Sequence, residues 1–451
     1  MQISNLLAPD LEETLKNDPA QAAELAEELH SADLAELIDR LADELAVTML
    51  GALDEGHAAA ALDAMEAGRR AELFQRLDRA KAARIADAMS PDERADLVQS
   101  LPDEVSADLL ARMPKDASLD VRELLRYPEN TAGGRMTTDF VALGPSLTVE
   151  RAIDEVRRLA EERETINEVY AVDPNGTLLG AVSLRALVLA RAGQPLSAVM
   201  DPDVVSVQPD LDQEDVARLF AHYNLLAVPV VDQTRKLLGI VTVDDVVTVL
   251  KQEQAEDIQK LGAVQATEGG YFQTDFWTFV RKRAGWLIAI FMGEILTASV
   301  LEHYEAARRA FTAIEVFVPL IISSGGNTGS QASSLVIRGL ALGEVGVRDA
   351  IRILSRELRM GLVLGVFLGI IGLMRALLVG HSGGGGMAAA VGLALVACVT
   401  FGSVVGALLP LGIKALGFDP AVSSGPFIAS LVDVAGIVIY LKIAIFVLGA
   451  P

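Results

Sequence analysis

The chain is predicted to be a multidomain membrane protein with an all-α superhelical N-terminal domain, an α/β pair of repeated modules, a long connector helix and a five-helix transmembrane domain. Three observations carry this prediction. Short amphipathic helical patterns recur at a 24-residue step before residue 126, a strand-and-helix unit occurs twice between residues 135 and 250, and five long apolar segments follow residue 276. Two solvents are implied by the composition: 51% of the 451 residues are hydrophobic, with a mean hydropathy of +0.37, yet the first 275 are densely charged. Lys and Arg number 38 against 61 Asp and Glu, a net charge of -23 concentrated ahead of the apolar segments. Such a surface argues against nucleic acid and for cations as partners.

The N-terminus, MQISNLLAPDLEETLKND, has neither a basic n-region nor an apolar h-region, so no cleavable signal is expected and the acidic part should stay cytosolic. Cys398 is the single cysteine and lies in an apolar segment, which excludes an internal disulfide and a Cys-based zinc site. The five histidines show no ligand spacing. No nucleophile with a base and no phosphate loop is visible, so the chain is not read as an enzyme.

Apolar positions at helical spacing, as in Leu34, Leu37, Ile38 and Leu41, give the first domain (1–132) its short helices. Met65, Met89 and Met113 end three similar stretches 24 residues apart. A unit that short is two helices and two turns and cannot bury a core alone, so the units should stack into a solenoid with the methionines as core filler. Ser90 opens one unit as SPDERADL, with Pro91 at the first helical position. Helix capping and solvation explain Asp92 and Glu93 there, while Asp96, one turn beyond Asp92, could share a cation with it.

Beyond Gly133 and Gly134 the pattern becomes β-branched runs alternating with amphipathic helices. MTTDFVALGPSL from Met136 matches MDPDVVSVQPDL from Met200, and each copy continues as strand, turn, strand and helix. These two copies (133–198 and 199–250) resemble tandem CBS domains, which implies an adenine nucleotide or a metal ion as ligand. Gly239, Thr242 and Asp244 fit the family's nucleotide stretch, which would place ATP at the second copy; the first has Arg185 instead of the acid. Plain strand-to-helix capping would use the same residues. The connector (243–275) begins with Asp244 and Asp245 and carries Glu253, Glu256 and Asp257.

Hydropathy places spans near 284–301, 312–337, 360–379, 387–413 and 426–448 within a membrane domain of 276–451. Arg281–Arg283, Arg338–Arg359 and Lys414 put three connections on the cytosolic side of the cytoplasmic membrane, with connections 302–311 and 380–386 and the C-terminus outside. Gly361, Gly365 and Gly369, and likewise Gly402 and Gly406, suit close helix contacts. Asp433 interrupts the last apolar segment, where a charge at the bilayer centre costs roughly 3 kcal/mol or more. The polar run SSGGNTGSQASS from Ser323 interrupts the second. Both read as lining a hydrophilic path through the lipid bilayer, enclosed more easily by two protomers than by one.

The whole order of elements, with PLIISSGGNTGSQASSLVIRGLALGEV from Pro319 and LGFDPAVSSGPFIASLVDVAGIVIYL from Leu416, resembles the MgtE family of magnesium channels or transporters. The resemblance implies a homodimeric, Mg²⁺-selective path closed by cytosolic Mg²⁺, with another divalent ion such as Co²⁺ as the alternative cargo. In the pore it implies Asp433, Asn327, the carbonyl of Ala429 and, on the cytosolic side, Asp419. As regulatory ligands it implies Asp92, Asp96, Asp212, Glu214, Asp245, Glu253, Glu256 and Asp257, while Asn224 and Thr248 stand where a well-known member of the family carries acids.

Overall fold

The structure is a computed structural model that describes residues 11–160, 163–267, 271, 274–305, 313–379 and 384–449. The N-terminal stretch before residue 11 and most of the connections expected outside the membrane, 306–311 and 380–383, lie outside the described residues. Two compact units result, residues 1–253 and 254–451.

After a helical stretch over residues 11–17, the first unit runs through α1 (Pro19–Ala26), α2 (Ser31–Arg40), α3 (Asp43–Ala52), α4 (Glu55–Asp63), α5 (Ala67–Arg76), α6 (Arg79–Ala88), α7 (Pro91–Ser100), α8 (Asp103–Arg112) and α9 (Lys115–Leu124). Each begins 12 residues after the one before, which explains the 24-residue sequence step as a pair of helices. Helices of eight to ten residues are too short to hold in water alone. Each therefore packs on the next but one, giving the superhelical stack, with Met65, Met89 and Met113 inside its core.

The paired modules follow as β1 (Val141–Leu143), α10 (Val149–Leu159), β2 (Glu168–Val172), β3 (Leu178–Ser183) and α11 (Leu184–Leu189), then α12 (Gln213–Tyr223), β4 (Ala227–Val231) and β5 (Leu237–Thr242). β2 and β3 pair antiparallel, as do β4 and β5, while β1 runs parallel to β2. The segment ahead of each copy crosses to the other: Thr137 bridges to Ile240 and Asp201 to Ala181. Gly239 and Gly180 make this crossing feasible. A Cβ on Gly239 would lie 2.7 Å from the Thr137 carbonyl oxygen, and one on Gly180 2.7 Å from that of Asp201, with Met136 and Met200 beside them in turn. The matched Met136 and Met200 are thus wedges over the partner copy's glycine. Asn224 ends α12 at a φ of 53°, the left-handed cap that asparagine tolerates and an acid adopts less readily.

Helix α13 (Val243–Leu261) runs across the division between the units. Five long helices follow: α14 (Phe276–His303), α15 (Ala313–Ala341), α16 (Ala350–Val379), α17 (Gly384–Ala415) and α18 (Gly425–Leu448). Among the described residues four segments, Phe276–His303, Val347–Leu378, Gly385–Ala415 and Gly425–Leu448, are long and apolar enough to cross a membrane. The polar run from Ser323 is what sets α15 apart from them. Hydropathy also missed the first three turns of α16, because Arg352, Arg356 and Arg359 make them polar although the helix is continuous.

Helices α15, α16 and α18 all pack on α17. Glycine is required at these crossings: Cβ atoms on Gly361 and Gly365 would each come within 2.9 Å of the α17 backbone, and one on Gly406 would collide with the Gly329 carbonyl of α15. Gly412, one helical stretch further, has open space around it. Replacing Gly406 by valine in the full-length protein should therefore destabilise it by about 1–3 kcal/mol or prevent assembly, whereas Gly412→Val should leave the melting temperature nearly unchanged. Thermal melts of the two purified variants in one detergent test this, and equal effects would contradict the packing.

Candidate metal centres

The first turn of α7 carries Asp92 and Glu93 into the body of the first unit. Ser90 makes no side-chain cap bond there, and Asp92, only 6% exposed, is neither a cap nor part of a solvated face. It faces the start of α13 instead. One oxygen each from Asp92, Glu93 and Asp245 lie within 4.8 Å of one another, and so do oxygens of Glu164, Asp244 and Asp245. Asp245 belongs to both groups. The Thr242 hydroxyl lies 2.7 Å from Asp245 Oδ2 and 3.2 Å from Glu164 Oε1, fixing both acids at the strand-to-helix corner. Arg70, itself buried, donates to Glu93 Oε2 at 2.8 Å and lies 3.9 Å from Asp63.

One guanidinium does not offset so many clustered carboxylates, of which Asp92 is buried and Glu93 and Asp245 half-buried, and their titration reflects it. Burial, then the charges of Asp245 and Glu93, push Asp92 well above the usual carboxylate range. Glu93 is pushed up to about 8 by burial and by Asp63. Asp245 and Glu164 each rise to about 7, by burial before anything else. The Oδ1 atom of Asp92 is buried with no hydrogen-bond partner. An all-oxygen donor set with an orphaned buried carboxylate oxygen fits Mg²⁺ or Ca²⁺, whose ligands are oxygens at about 2.0–2.6 Å. The spread of 4.8 Å leaves room for retained water between ion and protein.

Asp96, expected to share an ion with Asp92, is directed elsewhere. Arg135 Nη1 donates to Asp96 Oδ2 at 3.2 Å and Arg135 Nε to Gln213 Oε1 at 3.0 Å, while Gln213 Nε2 donates to Glu253 Oε1 at 2.6 Å. Two of the acids named for regulation are thus joined through an arginine and a glutamine. Burial still raises Asp96 to about 6 against the pull of Arg135. Asp212 caps α12, accepting from Glu214 N at 2.9 Å, and Glu214 pairs with Arg218 at 3.0 Å. Glu256 pairs with Lys260, and Asp257 is half-buried on the same helix. Thr248 is exposed. Of the residues named for a nucleotide, Gly239 abuts Met136, Thr242 is buried and engaged with two acids, and Asp244 is exposed.

In the second unit Asp433 points at α15. A Cβ on Gly326 would lie 3.1 Å from Asp433 Oδ1 and 3.3 Å from the Ala429 Cβ, so the glycine leaves room for the acid, whose Oδ1 is buried without a partner. The polar run divides by face. Ser330 donates to the Gly425 carbonyl at 3.0 Å and Ser333 to that of Ser423 at 3.2 Å, fastening α15 to the start of α18. Ser323, Asn327, Gln331 and Ser334 form an exposed stripe at helical spacing, with Asn327 Nδ2 donating to Ser323 Oγ at 3.2 Å. Asp419 caps a short turn, accepting from Ala421 N at 2.8 Å, and also accepts from Lys260.

Sequence reasoning passed over Glu93, Glu164, Glu294 and Glu357. Glu93 was assigned to capping, and Glu164 sits in a polar stretch with no periodic signal. Glu294 is an exposed acid within the apolar α14, a signal of the same kind that marked Asp433. Glu357 is buried, and Ser403 Oγ donates to it at 2.6 Å across α16 and α17.

A stack of short helices, a crossed pair of strand-and-helix modules and a bundle of membrane-length helices with a half-buried acid define a multi-pass membrane protein with a large extramembrane part. Family models match each part: the MgtE intracellular N domain over residues 29–130, the CBS domain over 132–193 and 196–252, and the MgtE divalent cation transporter over 318–443. The chain belongs to the MgtE family. It is 41% identical over 331 residues to the magnesium transporter MgtE of Thermus thermophilus, covering 73% of each chain. To that of Enterococcus faecalis it is 36% identical, covering 72% of this chain and 71% of the relative. A solved cytosolic domain of the Mg²⁺ channel MgtE in complex with ATP superposes at a TM-score of 0.52 and 38% identity, over 54% of this chain and all of that one. Family members are ion transporters, not enzymes.

Glu93, Asp96, Glu164 and Asp245 have raised folded-state pKa values, so the folded protein holds protons at them that the unfolded chain releases near pH 4. Their contribution is complete below that pH and is lost as pH rises through about 6 to 8. Without divalent ions, the melting temperature of the full-length protein should fall between pH 5.5 and 8.5, and added Mg²⁺ should restore more of it at pH 8 than at pH 6. Differential scanning fluorimetry in EDTA and in Mg²⁺ checks both trends; a Mg²⁺ effect independent of pH would contradict them.

Proposed function

We propose that the protein is a homodimeric, Mg²⁺-selective channel of the cytoplasmic membrane, closed by cytosolic Mg²⁺ bound at its acidic module. The observation that carries the conduction reading is the polar stripe of Ser323, Asn327, Gln331 and Ser334 on the exposed face of α15, beside Asp433. Lipid satisfies no polar group, so that face needs water or a polar partner. A second copy placing its own stripe and Asp433 opposite would enclose a wet path with two carboxylates on the axis. Mg²⁺ dehydrates reluctantly, and two acids acting through retained waters suit it better than a full protein cage. Asn327 and the Ala429 carbonyl would add oxygens, and Asp419 would lie toward the cytosolic entrance. Magnesium as cargo is supported by the names of the relatives in Thermus thermophilus and Enterococcus faecalis.

Closure by Mg²⁺ follows from the buried acids of the first unit. With ion bound, Asp92, Glu93 and Asp245 draw α7 to the first turn of α13; without it their repulsion favours separation. Control requires that the ion bind the closed arrangement more tightly than the open one. Asp212, Glu214, Glu253, Glu256 and Asp257 would add weaker cation attraction on the surrounding faces. A nucleotide is a second ligand of the same module, supported by the relative's complex with ATP. The acids Glu164, Asp244 and Asp245 around Thr242 would repel a bare triphosphate, so ATP would enter with its phosphates neutralised by Mg²⁺.

The basic residues Arg281–Arg283, Arg338–Arg359 and Lys414 orient the protein with the N-terminus cytosolic and the C-terminus outside. In proteoliposomes, Asp433→Ala should reduce Mg²⁺ flux by roughly tenfold or more with dimer formation retained. Wild-type flux in that variant would remove Asp433 from the path, and faster Co²⁺ than Mg²⁺ flux in the wild type would replace the cargo. Asp92→Asn with Asp245→Asn should raise the internal Mg²⁺ needed to halve the flux by about tenfold, a coupling of about 1.4 kcal/mol. An unchanged midpoint would refute the sensor.

A further inference from the structure

The C-terminal end of α13 is fastened at two places within the second unit. Beyond Leu261 the chain turns at Ala263, at a φ of 56°, and runs back to α14: Gln265 N donates to the Lys282 carbonyl at 3.3 Å, and Lys282 Nζ to the Ala266 carbonyl at 2.5 Å. The other fastening is Lys260. Its ammonium meets Glu256 one turn back on the same helix and donates to Asp419 Oδ2 at 2.6 Å, spanning 159 positions of sequence. Burial would lower the affinity of Lys260 for its proton, but Asp419 and Glu256 outweigh it and hold the ammonium charged.

Asp419 is not an isolated surface acid. Its second oxygen caps the turn Pro420–Val422, Ser423 and Ser424 behind that turn are buried, and the Ser423 carbonyl accepts from Ser333 of α15. Helix α18 begins at Gly425, and Asp433 lies eight residues along it, a rise of about 12 Å. A chain of short bonds therefore leads from Lys260 through Asp419 and one turn to both helices beside Asp433. The pair is half-buried, and what distinguishes it is position: it joins the end of α13 to the turn that leads into α18.

We propose that Lys260 is the residue that couples α13 to the ion path: through Asp419 it delivers a movement of the helix end to the start of α18, which the intervening loop would otherwise absorb. In this arrangement Glu256 and Asp419 serve as counter-ions to a protein cation, and Lys260 stands where a divalent ion would bridge them. The inference rests on the reading of the protein as a Mg²⁺-regulated channel and adds the tie through which regulation reaches the membrane unit.

A double-mutant cycle on the full-length protein in proteoliposomes tests it, with Lys260→Gln, Asp419→Asn and the pair combined. Asparagine keeps an oxygen for the Ala421 cap, so Asp419→Asn removes the tie and not the turn. Both single variants should raise the internal Mg²⁺ that halves the flux by about threefold or more, in the range of measured coupling energies. The double variant should go no further than the larger single, and Lys260→Arg should stay near wild type. Additive shifts, a shift in only one single variant, or none would overturn the tie. Should the wild type show no inhibition by internal Mg²⁺, the regulatory reading fails separately. Initial flux into Mg²⁺-free liposomes then decides: equal changes in both singles and the double support the tie, and unchanged flux overturns it.

Discussion

Between the first turn of α7 and the first turn of α13, Asp92, Glu93, Glu164 and Asp245 lie against one another, and the buried Arg70 reaches only Glu93 among them. Burying like charges in this way is unfavourable unless protons or cations neutralise them. Everything that brings those acids together must therefore be held by other means. The helical stack supplies α7 at a fixed step, the crossed strands supply the corner at Thr242, and the bonds from Arg135 to Asp96 and Gln213, with Gln213 holding Glu253, brace the flank. The centre consumes stability that the surrounding apolar core provides. What it returns is a set of carboxylate oxygens close enough together to hold a divalent ion.

The second unit applies the same logic in a drier solvent. Glycines at 325, 326 and 329 let α15 approach α17 and α18 closely, and the space at Gly326 is filled by the Asp433 side chain. Hydroxyls on the inner face of α15 are spent on the carbonyls leading into α18, which fixes that helix on the side away from the exposed stripe. Packing and polarity are thus two faces of one helix. Residues that look alike in sequence, Asn327 and Ser333, do different work because a separation of six residues on a 3.6-residue turn puts them on different faces, one exposed and one buried against the Ser423 carbonyl.

The architecture was legible because each layer has its own period: a fixed step for the stack, a duplicated strand pattern for the modules, long apolar runs for the bundle. Asp433 was legible for a simpler reason, being a charge where charge is costly. Glu164 was not, since an acid in a polar stretch carries no such contrast and acquires its meaning only when the fold sets it against Thr242 and Asp245. Asp92 was half legible: its spacing suited a helix cap, and only burial shows that the cap is not its work. Pairing was the least legible feature, because Asp96 with Arg135 and Lys260 with Asp419 join residues with no local relation. Capping and metal binding draw on the same residue types, so sequence cannot separate them without the neighbours.

The divided face of α15 also bears on how the protein is made. Its polar run leaves it outside the set of helices apolar enough to cross a membrane by their own composition, and the helices that cover its glycines, α17 and α18, are synthesised later. During synthesis α15 would have to wait at the translocation site or the lipid interface until α17 emerges, since a lone helix of its composition gains little from lipid. Membrane integration of this chain is then a cooperative event whose slowest partner is α15, and the residues that make its outer face polar are the ones that delay insertion.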